Sequence, residues 1–406
     1  MTEDDSFVHS LRHGGFIIEA EYTGVRCDEH ADGVLVRVEI VVRAHRTERY
    51  PHVVGATPAW FAKWGHQVAK GRANQTRPAG RSPNGHEAGQ NSEVSEAMAK
   101  EVVTLLDVRL RRVTALKDLP RENGSWLVDT LDGERVVLRR YHNQSTEEGL
   151  AYEHAVLRHL SKADWVVPAP IGDLLRHEGL LYCLTRYVPG AAVRGEPPEQ
   201  RRRRGRDLAR LDVALRDLNE HLGQRSGWRT QHTDTSVHAD IDWSACLDGF
   251  AAEEPRLAEW AAEAAAEARA ALAAIGAEAL PLTIVHGDFA EWNVHYIDGQ
   301  LTGVIDFGLT HLDSRPYELA IARTYRSPEA IDVYAEELAR SGWPLSALER
   351  EAIGPVNHAF RVDMVAWELH QGRRTGVYDM AMIERQLQRT GVAPRSVVRP
   401  RSADSP

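Results

Sequence analysis

The chain has 406 residues, 43% of them hydrophobic and 27% charged, with a mean hydropathy of -0.41, which suits a globular protein with two or three core-forming units. A net charge of -10 argues against a general nucleic-acid binder, which needs a basic face, and no apolar run reaches the length of a membrane span. The acidic start Met1-Thr2-Glu3-Asp4-Asp5 lacks an apolar leader core, and Cys27, Cys183 and Cys246 have no paired spacing, so a reducing cytoplasm is the expected setting.

Residues 1–70 carry strand patterns at Phe16-Ile17-Ile18 and in the alternation of Val34, Val36, Val38, Ile40 and Val42. Thr57-Pro58 reads as a cap and first turn of a short helix with Trp60 and Trp64 on one face. Residues 71–94, rich in Gly, Asn, Arg, Pro and Ser, are expected to be a disordered linker. Two explanations of residues 1–97 stay open: a small β-rich accessory domain, or an extension upstream of a start at Met98. The change of texture near residue 95 favours the second.

A first lobe is expected over 95–189. Val102 to Leu106 close a helix, strands follow at 109–116, 124–130 and 135–141, and Asp132-Gly133 signals a hairpin between the last two. Leu150, Ala151, His154, Leu157 and Leu160 space a helix over 146–160. Leu180-Leu181-Tyr182-Cys183-Leu184 is a short strand running toward Pro189-Gly190. A second, mainly helical lobe is expected over 190–393, with helices at 206–222, 252–275, from Ser327-Pro328-Glu329, 345–371 and 378–389. One strand pair, 282–285 with 301–306, interrupts it, and 394–406 is expected to be a disordered tail. The fold class is therefore α+β, a small antiparallel-sheet lobe joined to a larger helical one.

The informative strip reads Ile284-Val285-His286-Gly287-Asp288-Phe289-Ala290-Glu291-Trp292-Asn293 and then Gly303-Val304-Ile305-Asp306-Phe307-Gly308. Phosphoryl transfer needs a hydroxyl aimed at the γ-phosphorus and phosphate charge neutralised by a metal. Asp288 supplies a carboxylate for the hydroxyl proton. Asn293 and Asp306 supply hard oxygens suited to Mg²⁺. His286 is assigned to holding the loop backbone rather than to proton transfer.

This strip resembles the aminoglycoside phosphotransferase and choline kinase-like family of protein-kinase-like small-molecule kinases, and the resemblance spans about residues 98–390. It implies a two-lobed kinase fold, ATP and Mg²⁺, Asp288 as catalytic base, Asn293 and Asp306 as metal ligands, and a small hydroxyl compound as acceptor. Gly308 and Glu318 join His286 as supports of the loop; Glu318, within Asp313-Ser314-Arg315-Pro316-Tyr317-Glu318-Leu319-Ala320, stands where the family usually has Asp. Val136-Val137-Leu138-Arg139 resembles the strand on which kinases carry a phosphate-binding lysine, here Arg139, with Glu153 as its ion-pair partner. Arg140 takes that place if the register slips by one. Ser125, in the turn Glu122-Asn123-Gly124-Ser125-Trp126, is expected near the β-phosphate, and Thr185 and Tyr187 lie in the expected adenine-binding hinge.

Glu291 and Trp292 are expected at the acceptor mouth, and Asp363, Trp367 and Glu368 share a helix face that would suit a cation. The run Arg201-Arg202-Arg203-Arg204, with Arg206 and Arg210, is expected to be a solvated helix face. The histidines of residues 1–97 show no metal-ligand spacing. No Gly-x-x-x-x-Gly-Lys-Ser/Thr string is present, which excludes a P-loop. The competing readings are a non-catalytic kinase-shaped nucleotide binder and, behind it, a protein kinase, which would need a Gly-rich loop and an Ala-Pro-Glu segment.

Overall fold

Strands β1 (Val8–His13), β2 (Phe16–His30) and β3 (Gly33–Arg46) pair in that order into an antiparallel meander. The structure, a computed structural model, describes the backbone of these strands and residues 97–393 apart from 118–122, 143–144, 220 and 323–326. The expected linker 71–94, the helix at Thr57-Pro58 and the tail 394–406 lie outside the described residues. Contacts group Met1–Pro83 with Gln371–Arg385 as one unit and the remainder as a second.

The second unit begins with helix α1 (97–105) and a five-stranded antiparallel sheet. Its strands are β4 (Leu110–Lys117), β5 (Gly124–Thr130), β6 (Arg135–Arg140), β7 (Pro170–His177) and β8 (Leu180–Arg186), in the order β4-β5-β6-β8-β7. Alternation sorts β5 and β6 into two faces. Trp126, Val128, Val136 and Leu138 pack with Ala99, Val102 and Val103 of α1, while Ser125 and Arg139, directly opposite each other, share the other face. The edge strand β7 escaped sequence reading because it starts at a proline, carries Gly172 at φ +74° and buries almost nothing. Helix α2 (Glu147–Lys162) sits between β6 and β7 in the chain. Thr146 caps it by accepting from Gly149 N–H, and Glu147 and Glu148 complement its first turn.

After β9 (Ala191–Ala192), helix α3 (Pro198–Arg216) starts at its first-turn proline, eight residues before the expected 206. Helices α4 (Trp243–Ala251) and α5 (Pro255–Ala274) follow, then strands β10 (Leu282–Val285), β11 (Val294–Ile297), β12 (Gln300–Val304) and β13 (His311–Ser314). Helices α6 (Arg315–Ile321), α7 (Pro328–Arg340), α8 (Ala347–Thr375) and α9 (Met380–Thr390) complete the order.

The expected pairing of 282–285 with 301–306 is corrected. β10 pairs with β13, and β12 pairs with β11. Asp298 and Gly299, at φ 48° and 72°, close β11 onto β12 in a tight turn whose Asp-Gly signal the sequence reading passed over. The lobe's core gathers Val156 and Leu160 of α2, Leu208 and Leu211 of α3, Phe289, Phe307 and Tyr334. The antiparallel sheet with a helical second lobe agrees with the expected protein-kinase-like α+β class. No described helix is long and apolar enough to cross a membrane.

Candidate active site

The loop from His286 to Asn293 links β10 to β11 and is fixed from below. His286 is fully buried, and burial pushes its imidazole down to about 4, so the ring is neutral. Its Nδ1 accepts the Asp288 N–H at 3.0 Å, and its Nε2–H faces the Ile305 carbonyl at 3.0 Å. The ring thus clips the loop to the segment that leads into Asp306. Gly287 holds φ +82°, and a Cβ there would lie 2.2 Å from the Leu309 carbonyl oxygen, so glycine is required. Its N–H donates to Glu318 Oε2 at 3.1 Å. Burial, with Asp212 next, raises the Glu318 carboxyl well above the carboxylate range, against the pull of that N–H.

Asn293 donates both to the Asp288 carbonyl (2.9 Å) and to Asp288 Oδ2 (2.7 Å). Its two amide protons are thereby directed at Asp288, which leaves Oδ1 as the atom a hard cation would meet. Trp292 Nε1–H lies 3.4 Å from the same Oδ2, and its ring is partly exposed. Glu291, half-buried on the same turn, acts electrostatically on Glu196.

Asp306 was expected on a strand. It stands instead two residues past β12, at φ 65°, as the entry to a 3-10 turn over Phe307–Leu309. That left-handed kink turns the carboxylate out of the ladder, and its side chain is 52% exposed. Arg139 Nη2 reaches Asp306 Oδ1 at 3.3 Å while Nη1 reaches Glu153 Oε1 at 3.3 Å. Burial works against the Arg139 charge, but Glu153 and Asp306 outweigh it and hold the guanidinium more firmly protonated than usual. Arg139 Nε is buried and has no hydrogen-bond partner among the described residues. Arg140, on the other face of β6, lies over the Trp126 ring at 5.5 Å. The register therefore puts Arg139, not Arg140, beside Glu153 and Asp306.

Of the remaining predicted residues, Ser125 is opposite Arg139 on β5, and Thr185 is buried with its hydroxyl donating to the Val137 carbonyl at 3.3 Å. Tyr187 follows β8 beneath the Arg135 guanidinium, 5.7 Å from its ring centre. The Gly308 carbonyl accepts from Arg225 Nη1 at 2.7 Å. Asp363 is buried rather than presented on an open helix face: Oδ1 accepts the Val237 N–H at 3.2 Å, and burial raises the carboxyl to about 6. Trp367 is exposed and Glu368 half-buried. Trp367 joins an aromatic wall with His238 (5.0 Å), Trp228 and His311, the last two stacked at 4.5 Å.

Two arginines escaped the sequence reading. Arg204, inside the run expected to be solvated, is buried. Its Nε forms a fork with Glu196 at 2.9 and 3.1 Å, and Nη1 donates to the carbonyls of Phe289 (3.2 Å) and Ala322. It props the loop on α3. Arg225 ties Gly308 to Thr310 (3.0 Å), a lone residue in a loop with no local signal to mark it.

The residues suit a nucleotide-bound divalent cation: hard oxygens on Asn293 and Asp306, a buried guanidinium with an unspent N–H, and a carboxylate held one hydrogen bond away. The family model described as the phosphotransferase enzyme family matches residues 117–353. A homoserine kinase of Phenylobacterium zucineum is 26% identical over 271 residues, covering 63% of this chain and 78% of that protein. One from Xanthobacter autotrophicus is 25% identical, covering 57% and 72%. Among solved structures, a thermostable mutant of aminoglycoside phosphotransferase APH(4)-Ia in its apo form superposes with a TM-score of 0.50 at 20% identity, covering 69% of this chain and 94% of that one. The amicoumacin kinase hAmiN, complexed with AMP-PNP, Ca²⁺ and Ami, gives a TM-score of 0.53 at 15% identity, covering 73% and 92%.

Proposed function

The chain belongs to the phosphotransferase enzyme family and is an ATP-dependent kinase of a small-molecule hydroxyl, and from that premise we propose that Asp288 takes the acceptor's proton while Asn293 and Asp306 hold Mg²⁺. The observation that carries this is the grip of Asn293 on Asp288 Oδ2 at 2.7 Å, on a loop whose backbone is fastened by His286 and Glu318. A base fixed this way meets the hydroxyl in one orientation, which is most of what phosphoryl transfer asks of a protein. Bound Mg²⁺ would neutralise phosphate charge. The Arg139 guanidinium, held by Glu153 and reaching the half-exposed Asp306, supports a role in taking a phosphate oxygen. An ATP-dependent reaction and the free, buried thiols Cys183 and Cys246 support a cytoplasmic setting.

For the acceptor we propose an amino alcohol, the chemistry common to homoserine and to amino-sugar antibiotics. Asp240 acts electrostatically on His238, and the exposed Trp367 ring lies beside His238 in the same aromatic wall, a setting that favours an ammonium group. The test is an ADP-release screen with Mg²⁺ over homoserine, amino-sugar and choline-type alcohols and over amine-free alcohols such as glycerol and neutral sugars, with Asp288→Asn as control. Turnover confined to hydroxyl compounds without an amine would overturn the acceptor class. No turnover with any compound, alongside intact nucleotide binding, would favour the non-catalytic nucleotide binder instead.

A further inference from the structure

The arginine run leaves three side chains that the active site does not use. Arg203, Arg206 and Arg210 recur along one face of α3 and line a cavity of about 490 Å³. The segment 163–166, just past α2, and residues 299–303 of the β11–β12 hairpin form its other walls. None of Asp288, Asn293, Asp306, Arg139 or Glu153 borders it.

Arg203 donates to the Gly299 carbonyl. Arg210 reaches Glu337 at 2.9 Å and Asp207 at 3.9 Å. Arg206 is half-buried and has no hydrogen-bond acceptor among the described residues; it bears on Asp207 only through its charge. Asp207 in turn accepts from the Tyr296 hydroxyl at 3.1 Å. A half-buried indole, Trp165, and the Leu301 side chain supply an apolar side to the same space.

We propose that this cavity binds a small organic anion, a phosphate or carboxylate on a flat apolar body, with Arg206 and Arg203 gripping the oxyanion and Trp165 the flat face. A guanidinium without an acceptor is the group that oxyanions complete, and the volume falls in the range of small-molecule sites. An extended polyanion fits less well. Asp164 and Asp207 stand on the same walls, and the chain carries a net charge of -10. The walls also lead to the nucleotide side: α2 carries Glu153, and β12 runs into Asp306.

The test is calorimetric titration of the full chain, pre-saturated with Mg²⁺ and a non-hydrolysable ATP analogue so that the catalytic phosphate site is filled. Phenyl phosphate, benzoate and inorganic phosphate are the probes. One equivalent of phenyl phosphate or benzoate should bind, about tenfold or more tighter than inorganic phosphate, and whichever of the two binds better identifies the anion. Arg206→Gln should weaken that binding about tenfold, the loss of one charge-assisted contact, and Trp165→Ala should abolish the preference for the aryl compounds. Both variants should bind the ATP analogue, which reports that they are folded. No saturable heat from either aryl probe, or heat unchanged in Arg206→Gln, would overturn the proposal.

Discussion

On the helical side of the candidate site, the His286–Asn293 loop is held through its backbone. Asp288 N–H, Gly287 N–H and the carbonyls of Phe289 and Gly308 all end on buried side chains. On the sheet side, position depends on one side chain, Arg139, reaching Glu153 on α2 and Asp306 beyond β12 at 3.3 Å each. Backbone anchorage fixes a loop whatever side chains it displays. A charge relay fixes only the groups that carry charge, and it joins three separate elements through a single residue. The loop side should therefore yield to mutation through its chemistry, and the sheet side through its stability and nucleotide binding together.

The largest effect is expected from Asp288→Asn, which keeps the loop's hydrogen bonds but removes the base. Turnover should fall about 10²–10⁴-fold, with nucleotide affinity and melting temperature close to wild type. A fall in stability of similar size would show that the carboxylate is structural. Next comes Arg139→Ala, which deprives Glu153, 1% exposed, of its ion-pair partner. The cost should be about 3–5 kcal/mol by urea unfolding, accompanied by weaker ATP binding, with Arg139→Lys recovering part of both. Unchanged stability would mean that the Arg225 charge, which also acts near Glu153, already suffices.

A third test concerns pH. His286 titrates near 4 in the native protein, against 6.5 when unperturbed, so the unfolded chain takes up this proton first as pH falls. The stability tied to its neutral form is complete above about pH 6.5 and is lost on the way to pH 4. His286→Asn cannot titrate. Its unfolding free energy should fall less steeply across that window, by one proton's worth, a difference approaching about 3 kcal/mol once the imidazole is charged. Parallel curves would mean that His286 does not hold the loop as a neutral ring. The smallest effect should come from Arg140→Ala, which removes a contact with the Trp126 ring: about 0.5–1 kcal/mol, with the KM for ATP unchanged. A raised KM would blur the contrast between the two faces of β6.

The strip at 286–308 was legible because its groups are close in sequence, and the expected hairpin over 124–141 because Asp132-Gly133 and period-two alternation agree. The pairing of β10 with β13 was not. Strands of four residues carry too little pattern to name a partner, and the Asp298-Gly299 turn was the only local clue to β11–β12. Arg204 was misread because a run of like charges looks solvated, whereas its two carbonyl acceptors, on Phe289 and Ala322, lie on elements remote in sequence, and only its fork with Glu196 is local. Asp363 fails as an open cation site for the same reason: its partner, the Val237 N–H, arrives from a loop 126 residues earlier.

Glu318 has a consequence for how such sequences can diverge. It stands where the resemblance to small-molecule kinases implies aspartate, yet it still receives the Gly287 N–H at 3.1 Å from the first turn of α6. An aspartate grafted there would stop one carbon, about 1.5 Å, short of that N–H. The shorter residue becomes tolerable only if α6 shifts inward by a similar distance, which would drive its own fully buried Leu319 and its C-cap Ala322 into the core they already pack against. Side-chain length at 318 and the seat of α6 are thus matched, and a change in either should demand a change in the other.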